Sequence, residues 1–282
     1  MDHRLTHLDH RLTRRSLLAC VAAVVASTAT AGCDSALGAS STPSAPSRPP
    51  DNTPVASWRI DGDLDLPAVR AIRAPMLVIF ADGSAIAEAA YQSRLDDTAL
   101  TSLVTHLLSA LKDPAATATR TTGPSIVDAS TTVFDIWTGT GTLSVRAVGL
   151  DELRNRGVYG SALYDAADRL AAVYKTVTST ALPYLSDRVR VVTETVADAG
   201  TTVTPWPAAL ALPTQPTGTD TAIRRSDLAG DAARSAVRLL IRDLDHKGAW
   251  PTYSTPDGHL VQASWRYLLP SETPPSPTPS TS

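Results

Sequence analysis

Three pairs of short β-prone runs, each pair split by a tight turn containing glycine, constrain this chain more than any other feature. Such pairs close on themselves as antiparallel hairpins. Met76–Phe80 is an unbroken apolar run, Asp82-Gly83 supplies a turn, and a second strand follows near Ala85–Ala89. Thr131–Trp137 and Thr142–Val148 flank Thr138-Gly139-Thr140-Gly141. Trp250–Tyr253 and His259–Leu268 flank Pro256-Asp257-Gly258. Side chains alternate across a strand, so Phe134 and Ile136 face one way and Val133 and Trp137 the other. In the last strand Val261, Ala263, Trp265 and Tyr267 share a face. Arg188–Val196 reads as a single further strand.

Between the hairpins the apolar period changes to that of a helix. Asp96 and Asp97 cap a helix whose Leu100, Leu103, Val104, Leu107, Leu108 and Leu111 fall on one face, with Pro114 just past its end and His106 on the opposite, exposed side. Ser161–Thr178 groups Leu163, Ala167, Leu170, Val173, Tyr174 and Val177. A third helix is predicted over Asp227–Arg242, capped by Ser226 and ended by Gly248, with His246 and Lys247 suiting its negative end. Residues 200–222, rich in Thr and Pro, read as a loop with one turn at Trp206–Leu210. The order ββ, α, ββ, α, β, α, ββ predicts an α+β fold, a mainly antiparallel sheet built from hairpins alternating with about three helices. An apolar content of 43% suffices for its core.

The ends of the chain read differently. Residues 1–32 run from a positive segment through a short Ala/Val-rich stretch to small residues, the order of an export signal. Thr13-Arg14-Arg15-Ser16-Leu17-Leu18 resembles the twin-arginine export motif built on Arg14 and Arg15, the alternative being an ordinary Sec leader. Ala31-Gly32-Cys33 resembles the end of a lipobox, with Thr30 where that pattern prefers Leu, and implies lipid on Cys33. Once the leader with Cys20 is removed, Cys33 is the one thiol left, so no disulfide supports the fold. Residues 33–54 then form the lipidated Cys and a Pro/Ser/Thr tether, able to span roughly 60 Å when extended. The body covers 55–270, and 271–282 is a second Pro/Ser/Thr segment.

A net charge of −3 gives no reason to expect nucleic acid as a partner. There is no Gly-x-Ser-x-Gly elbow, no Gly-rich loop ending in Gly-Lys-Ser/Thr, no His-Glu-x-x-His and no Cys-x-x-Cys, and no cofactor is implied. Asp243, Asp245, His246, Asp257 and His259 flank a short hairpin and are the best metal-like set, with Asp245, His246 and His259 its core. Turn and helix-end chemistry already accounts for Asp257 and His246. Arg154 and Arg156 precede a helix start, a place where an anion can be held, or lie on a plain surface loop. Arg234, Arg238 and Arg242 recur every four residues, a stripe suited to anionic lipid or cell-wall polymer or, more plainly, a solvated helix face. Trp137, Trp206, Trp250 and Trp265 read as core or sheet-face residues.

Several stretches together resemble uncharacterised exported lipoproteins of actinobacteria. These are Leu77–Gly83 with the Leu-rich helix after it, Thr131-Thr132-Val133-Phe134, Trp206-Pro207 and Trp265–Pro270. The resemblance spans most of residues 75–270, implies a location in the envelope and carries no catalytic residue. The expectation is a membrane-anchored, extracytoplasmic lipoprotein, held through lipid on Cys33. Its body is a non-enzymatic binding domain for an envelope protein, lipid or cell-wall polymer. The alternatives are a hydrolase or metal-dependent enzyme, or a carrier of a small apolar ligand.

Overall fold

In the computed structural model, which describes residues 52–62, 66–118, 126, 128–198, 202–217, 220–243 and 250–272, the first strand organises half of the body. β1 (Pro54–Asp61) pairs antiparallel with β2 (Leu77–Phe80) on one side and β5 (Thr131–Trp137) on the other. Around it, β3 (Ser84–Ala87), β4 (Tyr91–Arg94) and β6 (Thr142–Val148) complete a six-stranded sheet in the order β4-β3-β2-β1-β5-β6. β1 is not among the strands read from sequence, although it alternates: Ala56, Trp58 and Ile60 pack into or against a core, while Ser57, Arg59 and Asp61 face the other way. The β2–β3 turn requires glycine. Gly83 has φ +89°, and a Cβ there would come within 2.5 Å of the Leu95 carbonyl oxygen.

The second sheet has the order β8-β11-β12-β7-β10-β9. Its strands are β7 (Arg188–Val196), β8 (Val203–Pro205), β9 (Gln215–Thr217), β10 (Asp220–Ala229), β11 (Thr252–Ser254) and β12 (Leu260–Tyr267). All neighbours are antiparallel except β8 and β11. The fold is therefore α+β with mainly antiparallel strands, divided between two sheets. Residues 200–222 are not simply a loop, since they hold β8, β9 and the start of β10. The turn at Trp206–Leu210 is present, closed by Leu210 N–H to the Pro207 carbonyl and by the Trp206 indole to the Leu210 carbonyl at 2.7 Å.

Helices fill the outer layers. α1 (Pro67–Ile72) begins on proline, which suits a first helical turn. α2 (Asp97–Leu111) is capped by Asp96, whose side chain accepts from Ala99 N–H at 2.8 Å. The short α3 (Pro114–Thr117) starts where α2 stops, so Pro114 opens a new turn after ending the old one. α4 spans Ser161–Ser179. α2 and α4 cover one face of the first sheet, joining Leu100, Leu107, Leu163 and Leu170 to Trp58, Ile79, Phe134 and Ile136. The opposite face contributes Val78, Phe80 and Ile86 to a second core with Val191, Ala263, Trp265 and Tyr267 of the second sheet. A third, smaller core places Ala68, Val69 and Ile72 of α1 on Val192 and Ile223.

The third predicted helix is corrected. Asp227–Ala229 is strand, and α5 is the shorter Gly230–Leu239, with Ala229 and not Ser226 at its cap. The cause lies in a neighbouring strand. Asp227 stands opposite Arg190 in the β10–β7 register and accepts two hydrogen bonds from its guanidinium, both 2.8 Å. That bidentate pair holds the chain extended. Gly230, at φ +58°, then makes the change of direction into the helix. Arg242 falls beyond the helix, so the three-arginine stripe does not form. Its guanidinium lies 5.0 Å from the Trp265 ring centre and 5.1 Å from that of Tyr267, and it donates to the Ala89 carbonyl at 2.7 Å.

Candidate functional site

Where the first sheet is not covered by the second, a cleft of about 340 Å³ opens beside the last residues of the body. Its floor follows from strand register. Val78 of β2 stands opposite Ser57 of β1, Ser57 opposite Asp135 of β5, and Trp137 opposite Thr142 of β6. These side chains share one face because residues directly opposite on neighbouring strands project the same way, and Asp135 and Trp137 lie two apart on β5. Pro54 and Pro75 add apolar wall. The far lip is Leu269, Ser271 and Glu272, a strap that follows β12. Ser271 and Glu272, read from sequence as the start of a tail, thus belong to the packed body.

The strap is tied down by arginines of the second sheet. Arg266, 6% exposed, donates from two nitrogens to the two Glu272 carboxylate oxygens at 2.7 and 2.6 Å. Arg190 lies opposite Arg266 in the β12–β7 register and reaches Glu272 at 3.2 Å. The Leu269 N–H also donates to Glu272, at 2.8 Å. Two arginines and the two carboxylates of Asp227 and Glu272 therefore form one compact, balanced network. Burial alone would push the Glu272 carboxyl up, but the bonds and charge from Arg266, Leu269 and Arg190 outweigh it and hold it below its ordinary range. At Asp227 burial again pulls upward and the Arg190 hydrogen bonds and charge win, so this carboxyl is also lowered.

The sign of the pH dependence follows. Both folded-state values are depressed, so the stability they confer is complete above the unfolded carboxylate range and lost as pH falls through the folded values. Thermal melts are expected to be flat above about pH 5 and to fall steadily below about pH 4. Replacing Glu272 by Gln should lower the plateau and flatten the acid limb. A melting temperature that stays level in the native chain from about pH 5 down to about pH 3 would contradict this network.

On the cleft floor, Asp135 accepts from Arg59 at 2.6 Å and from the Ser57 hydroxyl at 3.2 Å, both through Oδ2. Each carboxylate of the cleft thus faces an arginine, and no His or Cys is among the described residues that line it. Neither carboxylate is an unpaired acid or base. The indole N–H of Trp137 is buried without a hydrogen-bond partner among the described residues. Such an orphaned donor costs about 1–3 kcal/mol.

The residues singled out from sequence are dispersed. Cys33, Arg14, Arg15, Asp245 and His246 lie outside the described residues. Asp243 follows Arg242, while His259 and Asp257 sit on the exposed β11–β12 turn with 3.7 Å between nitrogen and oxygen. Among the described residues no three His, Cys, Asp or Glu side chains gather into a metal-holding group. Arg154 donates to Asp168 at 3.0 Å and to Asp151 at 3.3 Å, and stacks 5.1 Å over Tyr164. An anion at the start of α4 would therefore meet two carboxylates as well. Arg156 is exposed beside it. His106 is not simply exposed: its Nε2 lies 2.5 Å from Asp165 Oδ2, linking α2 to α4.

Trp206, Trp250 and Trp265 are core residues, at 5–6% exposure, as the sequence predicts. Trp137 is half-buried on the cleft floor. The remaining cleft residues were not singled out from sequence. The signal available for Ser57 was the period-two alternation of β1; Glu272 lay hidden in a Pro/Ser/Thr-rich segment. No family model matches the chain, and no curated protein or solved structure shows significant similarity to it.

Proposed function

We propose that this chain is an extracytoplasmic lipoprotein, anchored through lipid on Cys33, whose α+β body is a non-enzymatic binding domain acting at the cleft between the first sheet and the C-terminal strap. The anchoring half of the reading is supported by sequence. The positive segment with Arg14 and Arg15, the short apolar stretch, the small residues up to Cys33 and the likeness to exported actinobacterial lipoproteins all point the same way. The binding half is carried by one observation: a cleft of ligand size, walled by Pro54, Pro75, Val78 and Trp137, in which each carboxylate is matched by arginine.

Native mass spectrometry of the full chain, purified gently from a high-GC bacterial host, tests the binding half. The expected result is a reproducible added mass that Trp137→Ala removes. Turnover in a broad hydrolase screen, abolished by one point substitution, would overturn it. Anchoring is tested separately with Cys33→Ala, which should release the protein to the medium or leave it unprocessed. Unchanged membrane retention and unchanged mass in that variant would refute lipid attachment.

A further inference from the structure

The two carboxylates that line the cleft are each balanced by arginine from behind the lining. Asp135 lies against Arg59, and Glu272 against Arg266 and Arg190. An anionic ligand would meet two carboxylates and no cation on the lining, and a cationic one would meet carboxylates whose charge arginine already balances, so neither gains a full ion pair. What stays unspent is neutral. Thr53, Thr142 and Ser271 bring hydroxyls able to donate and to accept, and Ser57, whose O–H donates to Asp135, keeps its oxygen as an acceptor. Asp135 makes its bonds through Oδ2, so its Oδ1 accepts nothing from the described residues. Trp137 brings an aromatic side chain to the lining.

A purely hydrocarbon ligand would use the ring and the prolines but leave the hydroxyls and Asp135 Oδ1 dehydrated and unpaired. A sugar ring uses both, since it carries apolar C–H faces and a rim of hydroxyls. We infer that the cleft binds a neutral carbohydrate. The C–H face of one sugar lies on Trp137, a hydroxyl of that sugar donates to Asp135 Oδ1, and the rim hydroxyls pair with Ser57 and Thr142. The volume is near the lower end of the roughly 300–1,000 Å³ usual for ligand sites, which suits a short saccharide or the end of a glycan. This inference rests on the binding reading given above.

The test is isothermal titration of the full chain, held in a detergent without a sugar headgroup, with glucose, galactose, mannose, maltose and cellobiose in turn. Saturable binding is expected for at least one of them. Its affinity should fall about tenfold or more in Trp137→Ala and in Asp135→Asn, a loss typical of one removed anchor contact. Ser57→Ala removes one hydroxyl without disturbing the sheet, and decides the matter if Trp137→Ala fails to melt cooperatively. Absence of saturable binding by a natively melting chain overturns the carbohydrate assignment. So does binding that none of the three substitutions weakens. If sugars fail while native mass spectrometry shows another adduct removed by Trp137→Ala, the binding cleft stands and only its ligand class falls.

Discussion

Replacing Arg266 by Ala is expected to lower the stability of the fold by about 3–5 kcal/mol, the usual cost of breaking a buried, hydrogen-bonded ion pair. Few side chains in the body serve so many neighbours. Besides Glu272, Arg266 donates to the Ile72 carbonyl at the end of α1, at 2.6 Å, and to the Tyr267 carbonyl at 3.0 Å. Its removal leaves the Glu272 carboxylate and the Ile72 carbonyl short of partners and frees the strap that forms one lip of the cleft. Urea denaturation reads the loss directly. The double replacement Arg266→Met with Glu272→Leu should recover much of the stability, because no uncompensated charge stays buried. A loss below about 1 kcal/mol for Arg266→Ala would show that the network is held mainly by other contacts.

Phe134→Ala is expected to cost a similar amount, about 3–5 kcal/mol, by a different route. Phe134 is fully buried in β5, opposite Trp58 of β1 and beneath α2 and α4. Truncation opens a void that the surrounding Leu and Ile side chains only partly fill. Strand alternation turns Phe134 away from Asp135, and Trp137 only borders its core, so the proposed binding at the cleft on the other face should persist. The two substitutions therefore separate stability from binding. Phe134→Ala lowers the urea midpoint while the ligand mass persists in the folded fraction, and Arg266→Ala lowers both. Loss of the adduct in Phe134→Ala at temperatures where it is folded would mean that the two faces of the sheet are coupled.

Much of the fold was legible because hairpins are local. Thr131–Trp137, Thr142–Val148 and Arg188–Val196 occur as the alternation predicts. The leucine stripe of α2 packs as its period requires, with Leu100, Leu103, Leu107 and Leu111 buried. What was not legible depends on partners far away in sequence. Asp227–Ala229 resembles the start of a helix by composition and is a strand because Arg190 lies beside it, 37 residues earlier. The Ser57–Asp135 contact joins residues 78 apart, and only strand register brings them together. The same holds for Glu272, whose role is set by Arg266 and Arg190 and not by its Pro/Ser/Thr-rich surroundings. β1 is a different kind of miss: the alternation of Ala56, Trp58 and Ile60 with polar neighbours was present and simple, but it adjoined a segment that reads as tether.

Both ends of the packed body, Thr53-Pro54 and Ser271-Glu272, stand on the rim of the same cleft. Residues 1–51 therefore join the body, and residues 273–282 leave it, at the mouth of the cleft. The helical layer of α2 and α4 lies on the far side of the first sheet. A fusion partner placed directly before Thr53 or directly after Glu272 would crowd the opening and leave the helical face clear. An affinity tag added at the C-terminus would be joined next to the site it is meant to leave alone.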